Sequence, residues 1–222
     1  MDKREARQFL NTYSVRWPSK ITHEKMIHMI KYFIHLSVSL FMLSSLNTLI
    51  AGEKNMSHKY EIATLAAGCF WGVEELVRKL DGVIETEVGY TGGQIDNPIY
   101  TLVKTGNSGH AEAVQIKFEP AKLSYENLLL FFFTIHDPTT VNQQGNDIGS
   151  QYRSAIFFHD QVQKEIAQKV MQKVEKSGAW KKPLATQLIS VTKFYPAETY
   201  HQDYLQKNPN GYTCHWIREI KF

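Results

Sequence analysis

Two periodicities alternate along the chain from residue 59 onward, and the switches between them predict its elements. Ile62-Ala63-Thr64-Leu65-Ala66-Ala67 is a nearly unbroken apolar run and reads as a short buried strand. A helix follows over Trp71 to Leu80, with Val73, Leu76, Val77 and Leu80 at helical spacing, and Gly82 breaks it. Val83 to Tyr90 alternates as a strand before Gly92-Gly93 turns the chain, and Asn97 to Lys104 reads as a loop holding a short helix. His110 to Phe118 is a strand with His110, Glu112, Val114, Ile116 and Phe118 on one face. Ser124 is a good N-cap for a helix through Phe133. The polar, turn-rich stretch His136 to Ser150 has no period and reads as a long loop, a kind often functional. Beyond it come a strand over Arg153 to Phe158, a solvated helix over Val162 to Lys176 and a strand over Gln187 to Lys193. A short helix over Glu198 to Leu205 precedes an extended, mobile tail from Asn208. Strands mixed with helices in this order predict an α+β two-layer sandwich spanning residues 59–222.

Residues 1–58 are of another kind and form a separate N-terminal extension. No formally charged side chain lies between Lys31 and Glu53, and the run includes Tyr32-Phe33-Ile34 and Leu40-Phe41-Met42-Leu43. Basic residues before it and small residues after it match a secretory signal peptide, with cleavage after Ala51 or Gly52. Translation starting at Met26 or Met29 would give such a peptide a conventional beginning. The run also approaches the roughly 20 residues of a membrane span, so membrane association through residues 32–52 is the second reading. A cytoplasmic extension is the third. The first two place the protein outside the cytoplasm or at its membrane.

Charge follows the same division. The extension holds eight Lys or Arg and four Asp or Glu, which leaves 17 basic and 18 acidic residues for the body. A near-neutral body gives no case for a nucleic-acid partner, which needs a concentrated basic face. Two cysteines, Cys69 and Cys214, exclude a disulfide-dense scaffold and a four-cysteine zinc site. The nine histidines form no His-x-x-x-His pair, so no metal is expected. No flavin, nicotinamide or haem motif is apparent, and no cofactor is expected.

Candidate chemistry gathers around Gly68-Cys69-Phe70-Trp71-Gly72. The pattern puts Cys69 at a strand-to-helix turn, where free backbone N–H groups and the helix dipole favour a thiolate and lower the pKa of the thiol. Phe70 and Trp71 beside it offer an apolar wall for a small group such as a methyl. A lone cysteine among apolar residues is equally an inert buried one. Strand alternation puts Glu112 on the face to be buried, where desolvation raises a carboxyl pKa and makes it a proton donor near neutrality. A glutamate bent out to solvent at the strand edge fits the same pattern.

Several further segments stand in a recognisable order. They are Thr86-Glu87-Val88-Gly89-Tyr90-Thr91-Gly92-Gly93, Asn97-Pro98-Ile99-Tyr100, Gly109-His110-Ala111-Glu112, Asp147-Ile148-Gly149-Ser150-Gln151-Tyr152-Arg153-Ser154 and Tyr200-His201-Gln202-Asp203-Tyr204-Leu205. With the cysteine pentapeptide, they make residues 60 to 213 resemble the A-type peptide methionine sulfoxide reductases. The resemblance implies a ferredoxin-like α+β core with a mixed sheet and reduction of methionine S-sulfoxide, free or in proteins, in the repair of oxidised proteins. It implies that Cys69 attacks the sulfoxide sulfur and that Glu112 protonates its oxygen. Tyr100 and Tyr152 would hydrogen-bond that oxygen, Asp147 would place Tyr152 or a water, and Phe70 and Trp71 would hold the substrate methyl.

Attack in that manner leaves a sulfenic acid on Cys69, which a second thiol resolves to a disulfide. Cys214 is the only other cysteine and is expected to be that thiol, with a thioredoxin-like dithiol protein as reductant. Two other classes compete. A redox-sensing interaction module would use a Cys69–Cys214 disulfide as a switch and would have no need of Glu112. A thiol hydrolase would pair a cysteine with His110 or His201.

Overall fold

A computed structural model describes residues 60–222. The uncharged run expected to be a signal peptide or anchor lies outside the described residues. Among the described residues no helix is long and apolar enough to cross a membrane.

The chain runs through β1 (Glu61–Ala67), α1 (Phe70–Val77), β2 (Val83–Thr91), α2 (Tyr100–Val103), β3 (Ala111–Phe118) and α3 (Tyr125–Ile135). It continues with β4 (Gln143–Gln144), β5 (Asp147–Ile148), β6 (Ser154–Phe158), α4 (Gln161–Ser177), β7 (Gln187–Ser190), β8 (Tyr195–Pro196) and α5 (Tyr204–Lys207). Six strands make one sheet in the order β7-β6-β1-β3-β2-β8. β7 runs parallel to β6 and every other neighbouring pair is antiparallel, so the sheet is mixed. Its inner strands β6-β1-β3-β2, with α1 and α3 as crossovers, form the β-α-β-β-α-β unit of a ferredoxin-like α+β fold.

One face of the sheet carries the larger apolar side chains. Leu65, Val88, Tyr90, Val114, Ile116, Phe118 and Ile156 pack there with Phe70 and Val73 of α1, Leu128, Phe132 and Phe133 of α3, and Val170 and Val174 of α4. Burying each of these large side chains favours folding by roughly 1.5–3 kcal/mol. The opposite face is flatter. Ala66, Ala111, Ala113 and Ala155 gather there around Phe157, under Ile189, Val191 and Phe194. Glu112 belongs to the helix-side face of β3, directly opposite Tyr90 of β2.

Several boundaries differ from the sequence expectation for local reasons. α1 ends at Val77, and an i→i+3 bond from Leu80 N–H to the Val77 carbonyl tightens the exit, while Leu80 still packs on the core. The helix expected from Glu198 is confined to Tyr204–Lys207, because Asp203 sits in the left-handed region at φ 55°. Gln202 serves instead as an edge partner for β2, accepting from Val88 N–H and donating to the Val88 and Ala197 carbonyls. The long loop from His136 contains a two-strand hairpin, β4 with β5, that presents Asp147. The tail has no helix or strand after Lys207, but it is not free of the body. His215 is buried at 7% exposure, and Phe222 packs against the core.

Candidate active site

β1 delivers the chain to Gly68, whose φ of +101° turns it sharply into α1. Cys69 is the N-cap of that helix and is 6% exposed. The first-turn N–H groups of a helix have no partner within it. Here the Phe70 N–H donates to Glu112 Oε2 at 3.2 Å. The thiol and the carboxyl are therefore brought together by one backbone group between them.

Glu112 is 2% exposed, so it does not bend out to solvent. Burial pushes its pKa up to about 8; the Phe70 N–H acts against this, and Asp147 adds to it. At neutral pH the carboxyl is chiefly protonated. Cys69 departs from the expectation of a lowered pKa. A backbone N–H of Trp71 favours the thiolate, as a helix start should, but burial raises the thiol pKa and Glu112 raises it further. Both groups are held neutral.

A cavity of about 140 Å³ opens on this pair, lined by Cys69, Phe70, Trp71, Tyr100, Glu112, Asp147, Tyr152 and Tyr212. Every expected site residue except Cys214 is on that wall. Burial, followed by Glu112, raises the Tyr100 and Tyr152 pKa values, so both remain hydroxyl donors. Asp147 is joined to the tail. Its Oδ1 accepts from the Tyr212 hydroxyl at 3.1 Å and its Oδ2 from the Cys214 thiol at 3.2 Å. Cys214 thus abuts the cavity through Asp147, and both cysteines are free thiols.

The apolar wall is braced from behind. Trp71 stacks on Tyr204 with ring centres 3.7 Å apart and donates its indole N–H to His201 Nδ1 at 3.0 Å. The His201 ring also lies against Phe70 and Tyr100. Burial lowers the His201 pKa, which keeps the ring neutral and able to accept. Glu198 completes the brace, accepting from the Tyr100 N–H at 2.8 Å and the Tyr90 hydroxyl at 2.9 Å. Both histidines of the hydrolase reading are engaged elsewhere, since His110 lies between the Gly93 N–H and the Ile95 carbonyl.

Tyr212, Glu198 and the bracing role of His201 were not legible beforehand. Each acts through a contact 65 to 130 residues away in the chain, and no local period marks such a residue. The motif Tyr200-His201-Gln202-Asp203-Tyr204 was the available signal, and it pointed to the segment rather than to the job of each side chain.

Fold and site together define a thiol-based α+β enzyme with a buried acid beside its sulfur. The family model for peptide methionine sulfoxide reductase matches residues 61–221. A relative from Rhodopirellula baltica, "Peptide methionine sulfoxide reductase MsrA 2", is 52% identical over 158 residues, covering 71% of this chain and 92% of the relative. Mxr1 from Saccharomyces cerevisiae in reduced form superposes with a TM-score of 0.68 at 40% identity, covering 72% of this chain and 93% of that one. The structure of Mxr1 in complex with Trx2 matches with a TM-score of 0.50 at 29% identity, covering 72% and 91%. The chain belongs to the peptide methionine sulfoxide reductase family, A type, whose members are enzymes that reduce methionine sulfoxide with thiols.

The raised Cys69 pKa has a direct test. In a Cys214→Ser variant, alkylation of Cys69 by iodoacetamide should titrate with a midpoint above the roughly 8.5 of a free cysteine. A midpoint below that value would show that the helix start outweighs burial.

Proposed function

We propose that this chain reduces the S epimer of methionine sulfoxide, free or within proteins, with Cys69 as nucleophile and Glu112 as the acid. The observation that carries this reading is a carboxyl held protonated by burial in the same small cavity as the thiol. Reduction turns Cys69–SH and a sulfoxide into Cys69–SOH and a sulfide, with no net gain or loss of protons. Two neutral groups match that inventory. As sulfur attacks sulfur, the S–O bond needs a proton on the departing oxygen, and Glu112 supplies it while the thiol proton restores the acid. Tyr100 and Tyr152 donate to the same oxygen, and Phe70 with Trp71 forms the cup for the methyl.

The size of the site fixes how much substrate it takes. At about 140 Å³ it is well below the roughly 300 Å³ at which small-molecule pockets begin. It suits the methyl sulfoxide end of one side chain, which leaves the rest of a peptide outside. With methyl cup and oxygen donors on fixed sides, only one sulfoxide epimer can place both groups at once.

Cys214 is then the thiol that resolves the sulfenic acid, and a thioredoxin-like dithiol protein returns the disulfide to two thiols. The Mxr1 complex with Trx2 supports that partner. The physiological task that follows is repair of oxidised proteins. A disulfide switch is the second reading, and the protonated Glu112 is the feature it leaves without a purpose.

The full chain incubated with a racemic methionine sulfoxide peptide and dithiothreitol should consume the S epimer and leave the R epimer. Glu112→Gln should lower that turnover by about 100-fold or more, the usual scale for loss of a positioned acid. Persistence of both epimers in folded, reduced protein would move the reading to the switch.

For residues 32–52 we propose export or membrane anchoring, on the strength of the uncharged run between Lys31 and Glu53. N-terminal sequencing of protein recovered from cells should find cleavage near Ala51 or Gly52, or an uncleaved chain in the membrane fraction. An intact Met1 on cytosolic protein would contradict export.

A further inference from the structure

His215 follows Cys214 directly and has no part in the reaction as described so far. Its ring is buried, with Nε2 2.7 Å from the Ala67 carbonyl and Nδ1 3.5 Å from Cys214 Sγ. A carbonyl oxygen only accepts, so Nε2 carries the ring proton. The neutral ring therefore presents Nδ1 to the thiol as a bare lone pair. Burial lowers the His215 pKa and keeps the ring in that neutral form.

The seat of the ring is built into the cysteine motif. A Cβ on Gly72 would come within 2.5 Å of His215 Nδ1, whereas one on Gly68 would first meet the Gln144 side chain at 2.6 Å and then His215 Nε2 at 3.3 Å. Gly72 thus leaves room that the imidazole fills. Its backbone N–H donates to Thr213 Oγ1 at 3.1 Å, which stiffens the tail around Cys214.

Cys214 needs such a neighbour. Burial and the Asp147 carboxylate push its pKa up to about 12, so very little thiolate forms unaided at neutral pH. Asp147 Oδ2 accepts the S–H at 3.2 Å, and Nδ1 of His215 stands 3.5 Å from the same sulfur as a second, neutral acceptor.

We propose that His215 is the general base of the resolving step, taking the proton of Cys214 through Nδ1 as that sulfur attacks the Cys69 sulfenic acid. The proposal rests on the reading of Cys214 as the resolving thiol. In the step, the electron pair of Cys214 forms the S–S bond, and the S–O bond of Cys69 breaks with its pair going to oxygen. The Cys214 sulfur is oxidised by one electron and the Cys69 sulfur reduced by one. The imidazolium proton goes to the departing hydroxide, so the products are the disulfide and water. The charged and titratable groups facing the ring are Cys214, Asp147, Arg218 and His136.

His215→Gln retains an amide donor for the Ala67 carbonyl and removes the Nδ1 lone pair. Full-length wild type and variant are mixed with one equivalent of methionine sulfoxide peptide, quenched over time and mapped by mass. Formation of methionine shows that the site is assembled. At pH 7 the Cys69–Cys214 bridge should close about 100-fold more slowly in the variant, with a dimedone-trapped sulfenic acid accumulating on Cys69. That deficit should shrink as alkali ionises Cys214 without help. Equal closure rates, or a deficit unchanged up to high pH, would overturn the base role and leave only the seating of the tail. Methionine formation without a bridge in wild type would defeat the resolving role of Cys214, and this proposal with it. Independently of any variant, 15N NMR of the wild-type reduced protein should show Nε2 protonated and Nδ1 bare; the opposite tautomer would rule the base out.

Discussion

The site depends on one hydrogen bond, from the first N–H of α1 to a carboxyl that the sheet has buried. Glu112 occupies a core position on β3, and water is excluded from it by the same packing that forms the fold. A lone backbone donor is too little to hold it ionised against that desolvation, so it remains an acid near neutrality. The donor belongs to Phe70, whose ring lines the cavity and whose preceding residue is Cys69. The buried carboxyl, the Cys69 thiol and one ring of the cavity wall are thereby placed by a single backbone position.

Two distant segments complete what that position begins. Residues 198–204 hold the far wall, with Glu198 on the Tyr100 backbone, His201 on the Trp71 indole and Tyr204 beneath its ring. The tail holds the near wall, with Tyr212 and Cys214 sharing Asp147 and His215 seated between Gly68 and Gly72. The two braces pair imidazoles kept neutral by burial, His201 and His215, with the accepting carboxyl groups of Glu198 and Asp147. Fixed walls would serve the proposed reaction, in which a methyl pocket and an oxygen site at set positions select one epimer.

The core was legible in the chain because its periods are clean. Val114, Ile116 and Phe118 mark one face of a strand, and that same alternation carried Glu112 inward although a glutamate is a poor guess for a core residue. The Gly-Cys-Phe-Trp-Gly turn was visible for a similar local reason, since Gly68 needs positive φ and the helix start follows at once. Local logic failed where opposing effects had to be weighed. The helix start predicts a lowered Cys69 pKa, and burial together with Glu112 reverses it. It failed too for the tail, where no period announces that His215 is buried or that Tyr212 and Cys214 reach Asp147 from more than sixty residues away.

The central claim is that Glu112 is a carboxylic acid, rather than a carboxylate, when substrate arrives. Infrared difference spectroscopy of wild type against Glu112→Gln reads this directly through the carbonyl stretch of a protonated carboxyl. The account predicts such a band at neutral pH, lost on titration near pH 8 in step with the single-turnover rate of methionine formation. A carboxyl already ionised at pH 5, or a rate that ignores its titration, would contradict it.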